Sequence, residues 1–188
     1  MKSIFLGEAS FPRLICALVI LICCFGGCAG SKRGDVVESW ETTNGYFKVR
    51  VVAYKEYLYL QGLPGTIYVF SSSLVKEDSW TEAMASRYDD MILIPGNNIR
   101  FVSNQIGYIF TERMYAVTTD AGKTWSVWDA TKNIPDWSGY KYGGIMDVQL
   151  SSDGNGLMIM RPRDDPSRKD IIDIQFRTND FGRHWDRN

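Results

Sequence analysis

What the chain lacks narrows it first. Its 188 residues include four cysteines, Cys16, Cys23, Cys24 and Cys28, and all belong to the N-terminal leader or its end. The rest of the sequence thus has no disulfide, no cysteine-based zinc site and no cysteine nucleophile. The one histidine is His184, so an imidazole-rich metal centre lacks ligands and a Ser-His-Asp arrangement has a single residue to be built on. Neither sign of charge dominates, with 21 Lys plus Arg against 22 Asp plus Glu and no long run of either. Nucleic-acid binding, which needs a basic footprint against the phosphates, is not expected. A long apolar run is missing too: "LICALVILICCF", Leu14 to Phe25, is shorter than the roughly 20 residues that cross a hydrocarbon layer.

That short run has Lys2 and Arg13 before it and small residues after it, the pattern of a secretory leader ending near Gly27. A signal-anchor is the alternative, and the length of the run favours the leader. The run closes on "FGGCAGS", which resembles the lipobox of bacterial lipoproteins, with Phe25 where that pattern prefers an aliphatic residue. Cys23 and Cys24 lack the preceding small residues that Cys28 has. The resemblance implies cleavage before Cys28, acylation of its thiol and stable membrane anchoring through several acyl chains. Ala29 after the cysteine, in place of Asp, implies an outer-membrane, periplasm-facing location. The expected organisation is a signal peptide over 1–27, a lipidated Cys28 and tether over 28–39, and a single β-rich domain over 40–188.

In "YFKVRVVAY" Phe47, Val49, Val51 and Ala53 alternate with Lys48 and Arg50, the period of a half-buried strand. Further β-rich runs begin at Thr66, Asn98, Ile106, Met114, Ile145, Gly156 and Asp170, each bounded by turn-forming residues. One segment reads differently: "SWTEAMASRYDD" has a capping-box spacing at Ser79 and Glu82 and places Trp80, Met84 and Tyr88 at helical intervals. It predicts one short helix whose apolar stripe is ordinary core.

Two octapeptides, "TTDAGKTW" ending at Trp125 and "TNDFGRHW" ending at Trp185, share Thr-x-Asp-x-Gly-x-x-Trp over Thr118, Asp120, Gly122 and Trp125 and over Thr178, Asp180, Gly182 and Trp185. The carboxylate can accept backbone N–H groups of its own turn, the glycine can take positive φ, and the tryptophan can fold beneath the turn onto the next strand. The repeat extends upstream, "FVSNQIGYIF" matching "VQLSSDGNGLMIM" with Gly107 opposite Gly156. Units this small bury their faces only by stacking. The motif resembles the Asp-box, or bacterial neuraminidase repeat, of sialidase-like β-propeller proteins. In that family the box is a structural device between outer strands, so the resemblance implies scaffold. The fold class expected is all-β, antiparallel hairpin repeats with box turns, arranged as a partial propeller or a compact β-sandwich, with one short helix.

Catalysis is poorly provided for. A sialidase-like hydrolase would need about six blades, and the chain has length for about three units of 40 to 50 residues. Arg50, Arg100, Arg113 and Arg177 read as outward-facing strand residues, and Asp89-Asp90 and Asp164-Asp165 as solvated loop acids. "SSDGNG" around Asp153 lacks the later acid of a calcium loop and reads as a tight hairpin. No metal or cofactor is expected.

Binding is the better prospect. Trp137, Tyr140 and Tyr142 lie in the loop "NIPDWSGYKYGG", where they either cover the end of the domain or form an interface, and Arg161 and Arg163 lie in the mixed-charge loop "RPRDDPSRKD". In length, leader and box placement the chain resembles small lipoproteins that act as immunity proteins against type VI secretion lipase effectors. That resemblance implies a non-enzymatic periplasmic protein that binds an incoming phospholipase, held to the membrane by its lipid anchor. The alternative is a carbohydrate- or envelope-binding module that uses the aromatic loop for stacking.

Overall fold

The computed structural model describes residues 33–57, 64–86, 95–135, 137, 142–162 and 173–188. The leader, the lipobox and Cys28 lie outside these residues, as do Tyr88, Asp89-Asp90, Tyr140, Arg163 and Asp164-Asp165.

Among the described residues twelve strands form three four-stranded antiparallel sheets, each a meander of consecutive strands. The first sheet holds β1 (Val36–Thr43), β2 (Phe47–Tyr57), β3 (Pro64–Leu74) and β4 (Thr81–Ser86). The second holds β5 (Ile99–Phe101), β6 (Gly107–Phe110), β7 (Met114–Thr118) and β8 (Ser126–Asp129). In the third are β9 (Tyr142–Leu150), β10 (Gly156–Pro162), β11 (Ile174–Thr178) and β12 (Asp186–Arg187). Among the described residues there are also two four-residue helical turns, α1 (Pro95–Asn98) and α2 (Ala130–Asn133), just before β5 and just after β8.

The alternation read in β2 is what builds the first layer. Phe47, Val49 and Val51 are buried with Phe70 of β3 against Ile99, Ile109 and Ala116 of the second sheet. Because neighbouring residues of a strand point oppositely, the other face of the second sheet presents Tyr108, Phe110, Tyr115, Val117 and Trp128. These pack on Val148, Met158, Met160 and Phe176 of the third sheet. The second sheet is thus buried on both sides, so β6 and β7 are apolar with no polar alternation, as doubly covered strands are. Gly107 pairs with Thr118 and Gly156 with Thr178, so the two glycines matched in sequence occupy matching places in their sheets.

Two expectations are corrected. The predicted helix over 79–90 is not formed where described: residues 81–86 are the edge strand β4. Phe70 pairs with Met84 and Ser71 with Glu82, which leaves Ala83 as a bulge. Ala83 and Met84 are therefore both buried, and two adjacent buried residues erase the period of two that would have announced a strand. Ser79 and Glu82 cap nothing: the Ser79 hydroxyl donates to Glu77 Oε2 at 3.2 Å and Glu82 pairs with Arg33 at 2.8 Å. The second correction concerns the tether, since Val36 to Ser39 are the first half of β1, paired with β2.

Candidate functional site

Each octapeptide joins the third strand of its sheet to the fourth, Thr118 and Thr178 ending β7 and β11 and the tryptophans standing just before β8 and β12. In the first, Thr118 Oγ1 donates to Asp120 Oδ1 (2.8 Å) and accepts the N–H groups of Asp120 (3.3 Å) and Gly122 (2.9 Å). Thr124 completes the ring, its N–H reaching Asp120 Oδ1 at 2.9 Å and its hydroxyl Oδ2 at 2.6 Å. The second repeats this with Thr178 to Asp180 at 2.8 Å and the N–H groups of Asp180 and Gly182 to Thr178 at 3.2 and 2.9 Å. There His184 replaces Thr124: its N–H donates to Asp180 Oδ1 at 3.1 Å, and Nδ1 lies 2.6 Å from Oδ2. A carboxylate only accepts, so the proton of that contact is assigned to Nδ1.

These donors decide the acidity of the two carboxyls. Burial alone would raise Asp120, but hydrogen bonds from Thr124 and Thr118 outweigh it and hold the group below the ordinary carboxylate range. Burial likewise opposes the shift of Asp180, yet the His184 and Thr178 hydrogen bonds and the attraction of His184 bring it to about 2. The positive φ falls on two successive residues in each turn, Ala121 (59°) and Gly122 (81°), then Phe181 (64°) and Gly182 (78°).

The tryptophans pack across sheets and not only beneath their own turn. Trp125 joins the cluster of the first sheet, and its indole N–H donates to Ser72 Oγ at 2.9 Å, while Ser72 donates to Gly122 O at 2.5 Å. Trp185 meets Tyr115 of the second sheet edge-on, centroids 5.4 Å apart, and the Tyr115 hydroxyl donates to Phe181 O at 2.9 Å. In both cases a hydroxyl of the preceding sheet grips a carbonyl of the turn. Trp185 Nε1 is buried without a hydrogen bond. The residue before Thr118 is Val117, whereas the residue before Ser73 is Ser72, so the second sheet offers no hydroxyl at the place that serves Trp125.

Compared with protein-family models, with curated proteins and with solved structures, the chain matches none. Among the described residues no group of three or more His, Cys, Asp or Glu could hold a metal ion, and no helix is long and apolar enough to cross a membrane.

The other residues singled out in the sequence are scattered. Trp137 is half-buried against the core cluster of the second and third sheets. Tyr142 opens β9, and its side chain lies outside the described set. Arg161 lies 3.5 Å from Asp173, an exposed pair. Arg100 does not face outward: it bridges sheets, donating to Val148 O at 2.9 Å and pairing with Asp147 at 2.8 Å, beside Tyr108, whose hydroxyl reaches the same carbonyl at 2.8 Å. Asp153 sits in the β9–β10 turn as a hairpin acid, bonded by the Ser151 hydroxyl and by Asn155, which lower it to about 2.

A third member of the octapeptide set went unread in the sequence. Ser73 stands near the end of β3, and seven residues later Trp80 stands just before β4, the same spacing as Thr118 to Trp125. The seventh position is again a hydroxyl, Ser79, but Val75 and Glu77 replace the aspartate and the glycine. The first and fifth positions are still bonded, with the polarity reversed, Ser73 Oγ donating to Glu77 O at 2.9 Å. In all three sheets the backbone of this loop also bonds the turn between the first two strands: Val75 N to Tyr46 O, Ala121 N to Gln105 O and Phe181 N to Gly154 O, at 3.0, 2.9 and 3.0 Å. The Ser/Thr-to-Trp interval at a strand end was the available signal. With Val75 and Glu77 in place of Asp and Gly, the segment carries no turn signature of its own.

Proposed function

We propose that this protein is a non-enzymatic, lipid-anchored, periplasm-facing interaction protein that binds and neutralises a secreted lipase effector of the type VI kind, an immunity protein. One observation carries the non-enzymatic part. The acids Asp120 and Asp180 and the sole histidine are each bonded within their own turns, so these polar groups serve to hold strands together. The sequence supports the rest: the lipobox-like "FGGCAGS" for the anchor at Cys28, and length, leader and box placement for the partner class. Outer-membrane sorting follows the same reading through Ala29. A carbohydrate-stacking module is less well supported, because Trp137, the aromatic it would rely on, leans on the core.

The test is capture of partners by the purified protein from periplasmic and effector-containing extracts, with mass spectrometry of what is retained and assay of any lipase found. A lipase held and inhibited one-to-one supports the proposal. Retention of envelope glycans alone, or of a lipase left fully active, defeats it.

A further inference from the structure

The three octapeptide tryptophans lie on corresponding sides of their sheets, and among the described residues two of them have a preceding sheet to pack on. Trp125 lies on the side of the second sheet that meets the first, and Trp185 on the side of the third that meets the second. Trp80 stands on the side of the first sheet that faces away from the stack, because it meets Lys48 and Arg50, which alternate with the inward Phe47, Val49 and Val51. Its half-exposed ring lies 5.0 Å from Lys48 Nζ and 4.1 Å from Arg50 Cζ.

Two features of that side point to a ligand of a particular kind. Neither Lys48 nor Arg50 has a carboxylate partner among the described residues, and Arg50 Nε is buried without a hydrogen bond. Just beyond them the register of β2 with β3 continues to Tyr46 and Val75, joined by a 3.0 Å backbone bond and exposed at 59% and 42%. Tryptophan, tyrosine and arginine are the residues in which binding energy concentrates at protein interfaces, and Trp80, Tyr46 and Arg50 stand together here with Lys48 and Val75 beside them.

We infer that Trp80, Lys48 and Arg50, with Tyr46 and Val75, form the surface on which a partner protein docks, and that the partner presents carboxylates to the two cations and an apolar centre to the rings. This rests on the proposed role as a partner-binding protein and deepens it by naming the side of the fold and the charge of the partner. The segment from Ser73 to Trp80 fits this role by its losses. Without the aspartate and glycine its loop is exposed from Val75 to Ser79, whereas the other two loops bury their glycines, Gly122 and Gly182.

The test uses the full chain in a non-ionic detergent with poly-L-glutamate as a defined polycarboxylate, followed by tryptophan fluorescence. Binding that weakens with salt, and about tenfold or more in a Lys48→Glu, Arg50→Glu variant of unchanged circular dichroism, is expected. If the double variant fails to fold, Lys48→Glu alone serves, with a smaller weakening expected. Equal binding by variant and parent, or none by either, overturns the inference. A preference for phosphatidylglycerol over phosphatidylcholine vesicles that the variant loses, without polyglutamate binding, overturns it in favour of a membrane contact. The proposed function fails separately. A captured lipase that binds the variant as tightly as the parent sinks the surface and leaves the immunity role, whereas polyglutamate binding with no lipase captured does the reverse.

Discussion

The two complete octapeptides are alike inside and different outside. Thr118 and Thr178 hold the same three bonds in the same geometry, and both turns put positive φ on the fourth and fifth positions. Outside, the first is gripped by the small hydroxyl of Ser72, which also satisfies the indole of Trp125, while the second is gripped by the fully buried Tyr115, which leaves the indole of Trp185 without a partner. The difference teaches what the recipe is for. Its interior closes a turn wherever it is written, and the neighbouring sheet supplies whichever hydroxyl its own strand places nearby.

Replacing the rings tests this most strongly. Trp185 is 8% exposed and packed into the larger core cluster, so Trp185→Ala should lose about 3–5 kcal/mol of unfolding free energy. Trp125 is half-buried at the edge of the smaller cluster, and Trp125→Ala should lose less, about 2–3 kcal/mol. Substitution by Phe should reverse the order of the polar contribution. Trp125→Phe gives up a hydrogen bond of about 1 kcal/mol, while Trp185→Phe removes an N–H that had none. Denaturant titrations at unchanged m would show it, and equal losses at both sites would erase the distinction.

The glycines come next. A Cβ on Gly182 would lie 2.5 Å from Tyr115 Cε1, and one on Gly122 would lie 2.8 Å from Ser72 Cβ, each at a φ that L-residues resist. Gly182→Ala should cost about 2–3 kcal/mol, since the rigid, buried ring of Tyr115 cannot turn aside. Gly122→Ala should cost about 1–2 kcal/mol, strain with a milder clash. A larger loss at Gly122, read from thermal melts of both variants, would mean that Ser72 and not Tyr115 is the tighter grip.

Much of this scaffold is legible from residues alone. The alternation of Phe47, Val49 and Val51, the paired glycines Gly107 and Gly156, and the turn chemistry of both octapeptides follow local rules of period and φ, which act within a few residues. What escaped reading depends on contacts distant in sequence. The bulge at Ala83 makes a strand look helical, Arg100 finds Val148 in another sheet, and the indole of Trp125 finds Ser72. The candidate docking side escaped for a related reason. Lys48 and Arg50 read as a solvated face until the fold brings Trp80 over them.

Acid should separate the two turns more gently. Asp180 is lowered to about 2 in the folded chain against about 4 unfolded, so it binds fewer protons when folded than when unfolded between those values. Its contribution is fully present above pH 4 and is lost as pH falls towards 2. Asp120 is lowered as well, by the uncharged Thr124 and Thr118, and its contribution is lost in the same direction. Asp180→Asn should therefore flatten the fall of stability between about pH 4 and 2, and 0.5 M salt should shrink the Asp180 share, to which the electrostatic attraction of His184 contributes, more than the Asp120 share. Urea titrations across that range decide it, and an acid limb unchanged by Asp180→Asn would deny the carboxylate its part in the turn.

The smallest effect is the most specific, because it asks whether Ser73 to Trp80 is the same device with two parts missing. Val75→Asp would give the Ser73 hydroxyl a carboxylate to donate to, as Thr118 has in Asp120, and would offer Ser79 the bonds that Thr124 makes. Ser73 now donates to Glu77 O, so in the repaired loop it must turn to accept the N–H of residue 77, and only glycine there takes the φ near +80° seen at Gly122 and Gly182. Glu77→Gly alone adds freedom to the unfolded chain and should cost about 0.5–1 kcal/mol. Val75→Asp alone places a carboxylate in a loop not shaped to bond it and should gain nothing. Together they should stabilise by about 1 kcal/mol, the worth of a carboxylate satisfying otherwise unpaired backbone donors. That sign change between the sum of the singles and the double is the coupling that a shared ring of hydrogen bonds produces and two independent loop changes do not. Additive losses would show that the first sheet merely ends in a loop of the same length. A gain would establish one unit written three times, with its first copy left open on the side that faces away from the stack.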